Sequence, residues 1–187
     1  MPEVDYYVEA NLQPQCAKEI TSPSGKFRLL IRHYGTKPGC WSYSRGTAYQ
    51  GDREVCDIKR NYHSFTHSFI VKNGQEWLIT GRSYMSQTIV NLETGQICEP
   101  PGDQFESHAF CWVEARLSPD ERVLVVAGCH WACPYEFRFY DFSDPAKGWP
   151  ELKIENLPDG YVSEDSKWPS FEDDTIVCHQ TKNEYQE

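Results

Sequence analysis

An all-β chain of repeated antiparallel sheets is what this sequence predicts, on three observations. Turn phrases recur at a nearly constant interval: those centred on Gly25, Gly74, Glu121 and Asp174 lie 49, 47 and 53 residues apart. Between them stand short runs that either alternate polar with apolar residues or are apolar throughout, the two patterns of half-buried and fully covered strands. No window of a dozen residues carries the i, i+3, i+4, i+7 apolar spacing of an amphipathic helix.

Taken in order, Val4 to Ala10 alternates as a strand and is set off from the first repeat by Asn11 to Gln15. That repeat, about 16–60, opens with the turn Ser22-Pro23-Ser24-Gly25, in which proline fixes one dihedral and glycine supplies the permissive one. Strands are expected over Lys26 to Arg32, Cys40 to Tyr49 and Glu54 to Ile58, separated by a Gly/Pro corner at Gly35 to Gly39 and a Gly51-Asp52 turn. In the second repeat, about 64–101, Thr66 to Val71 and Glu76 to Thr80 flank the hairpin signal Lys72-Asn73-Gly74. A polar corner, Arg82 to Ser86, then leads into strands at Gln87 to Leu92 and Gln96 to Glu99.

The third repeat, about 108–157, is the plainest. Phe110 to Leu117, Arg122 to Ala127, Tyr135 to Phe142 and Leu152 to Asn156 are its strands, and the second is apolar enough to be covered on both faces. A partial fourth repeat, about 165–187, holds Trp168 to Phe171 and Thr175 to His179. Three four-stranded repeats and a partial fourth, at a period near fifty, predict a single propeller-like domain. Its sheets form a small closed ring, with the strand at 4–10 as the closing piece, or remain open for a second copy to cover.

Composition narrows the function classes. The net charge of −10 and a pI near 5.1, with Lys and Arg scattered along the chain, argue against a nucleic-acid surface, which needs clustered cations. The start MPEVDYYVEANL has neither a basic opening nor an apolar run, and no segment approaches the roughly 20 apolar residues of a membrane span. A cytoplasmic chain, monomeric or homodimeric, with its eight cysteines mostly reduced, is expected.

The phrases SPSGKFRLL, SPDERVLVV, VNLETGQ and YDFSDP resemble the hairpin and outer turns of WD-repeat-like β-propeller proteins. In those proteins Ser-Pro-Asp-Gly before apolar residues marks the turn into a blade's second strand. The resemblance covers roughly residues 16–180, but the Trp-Asp dipeptide and Gly-His pair of true WD repeats are missing. It implies a fold and leaves the function open.

Function is read from what ends each second strand. Arg32-His33-Tyr34, Arg82-Ser83-Tyr84, Cys129-His130-Trp131 and Cys178-His179 occupy equivalent places. In blades these groups come to one end, where such a mixture suits a protein partner or small ligand. The expected contact residues are Arg32, His33, Tyr34, Arg82, Tyr84, His130, Trp131 and His179. A second reading takes Cys129, His130 and Cys133, with His108 or Cys111, as zinc ligands or the centre of a metal-dependent enzyme. Buried structural thiols are the plainer account of the same cysteines, since zinc ribbons bring a second close pair and none exists here. Phosphate loops, nucleophile elbows and His-Glu-x-x-His pairs are absent, so a binding module without catalysis or cofactor is the leading expectation.

Overall fold

The computed structural model describes residues 5–100, 110–131, 133–154, 168–172 and 175–177. Its chain is all-β, with four antiparallel sheets and, among the described residues, no α-helix. Two compact units divide it, Met1–His108 and Ala109–Glu187.

The first unit holds two four-stranded sheets, each laid down in chain order. One comprises β1 (Lys18–Thr21), β2 (Arg28–Gly35), β3 (Ser42–Gln50) and β4 (Arg53–Arg60); the other comprises β5 (Ser68–Lys72), β6 (Gln75–Thr80), β7 (Thr88–Asn91) and β8 (Ile97–Cys98). The β5–β6 hairpin has Asn73 at φ 51° and Gly74 at φ 71°, the left-handed pair whose twist matches that of the flanking strands. Alternation along β2 sends Leu29 and Ile31 to one face, where they meet Leu78 of β6 and Val90 of β7. Ile58 and Cys56 of β4 complete the layer, and Phe65, from the connector between the sheets, packs into it. Each such aliphatic or aromatic side chain contributes about 1.5–3 kcal/mol by leaving water.

A buried carboxylate fastens the opposite end. Glu76 of β6 accepts hydrogen bonds from the Ser22 hydroxyl at 2.9 Å, the Ser24 backbone N–H at 3.1 Å and the Ser24 hydroxyl. The Ser-Pro-Ser-Gly turn of the first sheet is thereby held to the second.

In the second unit β9 (Phe110–Leu117), β10 (Val123–His130) and β11 (Glu136–Asp141) form one sheet, and β12 (Ser170–Glu172) pairs with β13 (Thr175–Val177). Val125, Phe137 and Phe139 pack with Trp168, Phe171 and Ile176. The ladder between β9 and β10 slips at Ala127/Gly128, where a Cβ on Gly128 would meet the Cys111 carbonyl oxygen at 2.3 Å. None of the four sheets closes on itself.

Several expectations need correction. Residues 5–10 form no strand. Tyr6 instead stacks on Tyr43 at 4.4 Å and Tyr7 meets Tyr34 edge-on at 5.5 Å, so the alternation reflects aromatic docking and not ladder pairing. Among residues 5–10 no ladder supports the closing role expected of 4–10. The first strand of the first sheet, β1, lies where the sequence pattern predicts none, because Lys18 to Thr21 is mostly exposed and lacks an apolar run. Among the described residues the third repeat has three strands. Glu151 bridges Tyr140, flanked by the Asp141 N–H to the Pro150 carbonyl at 2.9 Å and the Leu152 N–H to the Phe139 carbonyl at 2.8 Å, and the end of the expected strand at Leu152 to Asn156 lies outside the described residues. Along β9, Phe110, Trp112 and Ala115 are buried, whereas Cys111 is half-buried and Val113 exposed.

Candidate functional site

The connector 61–67, running from β4 to β5, draws the ends of two second strands together. Arg60, itself buried, donates to the Ser64 carbonyl at 2.8 Å through Nε and to the Gly81 carbonyl at 2.7 Å through Nη1. The Asn61 N–H adds a bond to the Arg82 carbonyl at 2.6 Å. The fixed fork of a guanidinium suits two backbone acceptors, and both loops are held to it. Gly81 leaves the space this needs, since a Cβ there would meet the Ser86 carbonyl oxygen at 1.8 Å.

Two surfaces result. On the outside, Tyr62 lies between Trp41 at 5.7 Å and Tyr84 at 5.5 Å, three rings in sequence. The Trp41 indole N–H donates to Asn61 Oδ1 at 2.9 Å, although half of the Trp41 residue remains exposed. Arg82, exposed beside this row, pairs with Glu99.

Inside, the β2 face that carries Leu29 and Ile31 continues to His33, whose ring lies 4.8 Å from that of His63. Together they line an open cleft of about 320 Å³. His67 and Lys18, at the entries to β5 and β1, line it as well, with Cys16 beside them; Ile31 and Phe65 supply apolar wall. No carboxylate lines it. His67 Nδ1 lies 3.2 Å from the Phe65 carbonyl and donates to it, which directs the ring through its own connector. His33 is buried, and its Nδ1 has no hydrogen-bond partner. Burial pushes the His33 pKa down, as do the charges of His63 and Lys18, against a raising hydrogen bond to the His63 backbone.

Of the expected contact residues in this unit, His33 reaches the cleft and Tyr84 the aromatic row. Arg32 and Tyr34 alternate to the other face of β2: Arg32 stands opposite Arg45, and Tyr34 is buried opposite Tyr43. Lys18, Cys16, His63 and His67 escape sequence reasoning. Their one sequence signal is the spacing of two histidines about Phe65 in His63-Ser64-Phe65-Thr66-His67, immediately before a strand.

In the second unit, His130 Nε2 lies 2.7 Å from Arg138 Nη2. A guanidinium only donates, so this ring nitrogen accepts and its lone pair is engaged. Arg138 also sits 4.3 Å over the Phe110 ring and bonds Glu136 at 2.8 Å. Trp131, next along, is 63% exposed. Cys129 faces Cys111 across the β9–β10 ladder, and the Cys133 N–H closes a turn on the His130 carbonyl at 2.9 Å. Among the described residues no three His, Cys, Asp or Glu side chains are grouped to hold a metal ion. His108 and His179 lie outside the described residues.

No protein-family model matches the chain. An uncharacterized protein of Acanthamoeba polyphaga mimivirus is 42% identical over 159 residues, which cover 84% of this chain and 62% of the relative. The chain thus spans less than two thirds of the relative's length.

Proposed function

We propose that this chain is an intracellular, propeller-like binding module, and that the strand-end surface of its first unit is where a partner or ligand is held. The observation that carries the reading is the connector 61–67: it supplies Tyr62 to a row of three aromatic rings and His63, Phe65 and His67 to a histidine-lined cleft. Partly exposed aromatic residues beside an arginine are the composition from which binding hot spots are made. Two four-stranded sheets laid down in chain order and joined by the 61–67 connector support the blade reading of the repeats. No helix among the described residues is long and apolar enough to cross a membrane.

The test is affinity capture from cell lysate with the wild-type chain, Trp41→Ala/Arg82→Ala, and Trp131→Ala, after matching their thermal stability. A partner lost with the first variant places binding at the first unit's strand-end surface. Loss with Trp131→Ala too extends the contact to the second unit. Partners retained by both variants would refute the assignment of this surface.

A further inference from the structure

We infer that the cleft between β1, β2 and the 61–67 connector binds a small organic anion, a carboxylate or a phosphate monoester, held by Lys18 and the imidazoles of His33, His63 and His67. The inference rests on reading this end of the first unit as a binding surface and names the ligand class its cleft takes.

Three observations carry it. The protein as a whole is acidic, at −10, yet none of the cleft's lining residues is Asp or Glu. Lys18 enters into no ion pair among the described residues, so its ammonium is not already neutralised by a neighbour. His33, more than nine-tenths buried, keeps an Nδ1 without a partner, a polar atom that a buried ring normally satisfies. An anion seated there would receive N–H donors from the imidazoles and a charge-assisted bond from Lys18. Ile31 and Phe65 give the ligand's carbon body an apolar wall, and about 320 Å³ is at the small end of ligand pockets.

The site also couples to pH. The titratable groups facing His33 are Lys18 and His63, with Cys16 and His67 lining the same cleft. An anion beside the rings favours their protonated forms, so binding tightens as pH falls.

Histidine-ring NMR titrations test this, with inorganic phosphate and benzoate added separately at matched ionic strength and sodium chloride as the reference, at about pH 6 and about pH 8. Saturable shifts of the His33, His63 and His67 signals are expected at the lower pH, with affinity falling about tenfold at the higher. Lys18→Gln and His63→Gln, both at exposed positions, should each weaken binding by about tenfold, while Arg53→Gln, at the exposed β3–β4 turn, leaves it unchanged. Saturation by phosphate alone identifies a phosphate ligand, by benzoate alone a carboxylate, and by both the shared class. Shifts no different from those with chloride would overturn the inference, as would affinity indifferent to Lys18→Gln and His63→Gln. So would tighter saturation by zinc chloride, which would make the cleft a metal site. If anions fail while Trp41→Ala/Arg82→Ala still loses a captured partner, the surface stands and only the ligand class is wrong. If both fail, the surface itself is misassigned.

Discussion

The Phe65 ring stands directly on the β3 backbone at Gly46: a Cβ added there would meet ring carbon Cζ at 2.1 Å. Because Phe65 belongs to the connector and Gly46 to the first sheet, this contact sets how deeply the connector seats beside the cleft. Gly46→Ala should therefore cost about 1–3 kcal/mol by overpacking, and Phe65→Ala about 3–5 kcal/mol by emptying a core position. The double variant should cost clearly less than the sum, since the alanine methyl then occupies space the ring has left. Urea unfolding of the four proteins measures it, and strict additivity would show that the two residues do not oppose each other.

Glu76 ties the first hairpin to the second sheet. Burial raises its pKa, but the Ser24 hydroxyl and N–H and the Ser22 hydroxyl outweigh this and hold it below the usual 4.5. A carboxyl depressed in the folded state contributes stability that is complete above the unfolded value and is lost as pH falls through the folded one. Glu76→Gln should destabilise the protein by about 1–3 kcal/mol at neutral pH, the value of charged hydrogen bonds to a buried group. Melting curves down the acid limb should show the gap from wild type closing below about pH 4.5. A gap independent of pH would mean that shape, and not charge, holds the hairpin.

How far the fold is legible depends on which force sets each element. Phe110–Leu117 is legible to the residue, and the apolar runs expected at Lys26 to Arg32 and Arg122 to Ala127 are legible as strands whose ends shift, to Arg28–Gly35 and Val123–His130. Asn73-Gly74 declares its hairpin through the left-handed dihedrals that only such residues adopt readily. Lys18–Thr21 is invisible because an edge strand with little buried surface leaves no periodic trace. The tyrosines at 6 and 7 mislead because aromatic docking and strand alternation write the same pattern. For the site, strand-end position points to His33 and Tyr84. Lys18, His63 and His67 come together only through tertiary packing around Phe65, which no local pattern encodes.

The buried neutral imidazole of His33 should leave its own mark on stability. A base whose pKa is lowered on folding binds its proton more readily in the unfolded chain, so stability rises with pH from the folded value up to about 6.5. Chemical denaturation in ligand-free buffer across that window should show the rise, and His33→Gln should flatten it. An NMR titration midpoint for His33 at or above 6.5 without ligand would contradict the burial argument.

Glu121 occupies the turn position at which the resembling Ser-Pro-Asp-Gly phrase has glycine, and it adopts φ 60°. The turn is otherwise well made. The Glu121 N–H donates to the Ser118 carbonyl at 2.9 Å, and the Ser118 hydroxyl accepts from the Val123 N–H at 2.8 Å and donates to Asp120. An L side chain in the left-handed region costs about 1–2 kcal/mol, part of which glycine would return as greater freedom of the unfolded chain. Glu121→Gly should therefore stabilise the protein by up to about 1 kcal/mol, read as a higher urea midpoint at unchanged m. A lower midpoint would show that the glutamate side chain's own interactions outweigh the backbone strain, and the turn would then be tuned for that side chain and not merely tolerant of it.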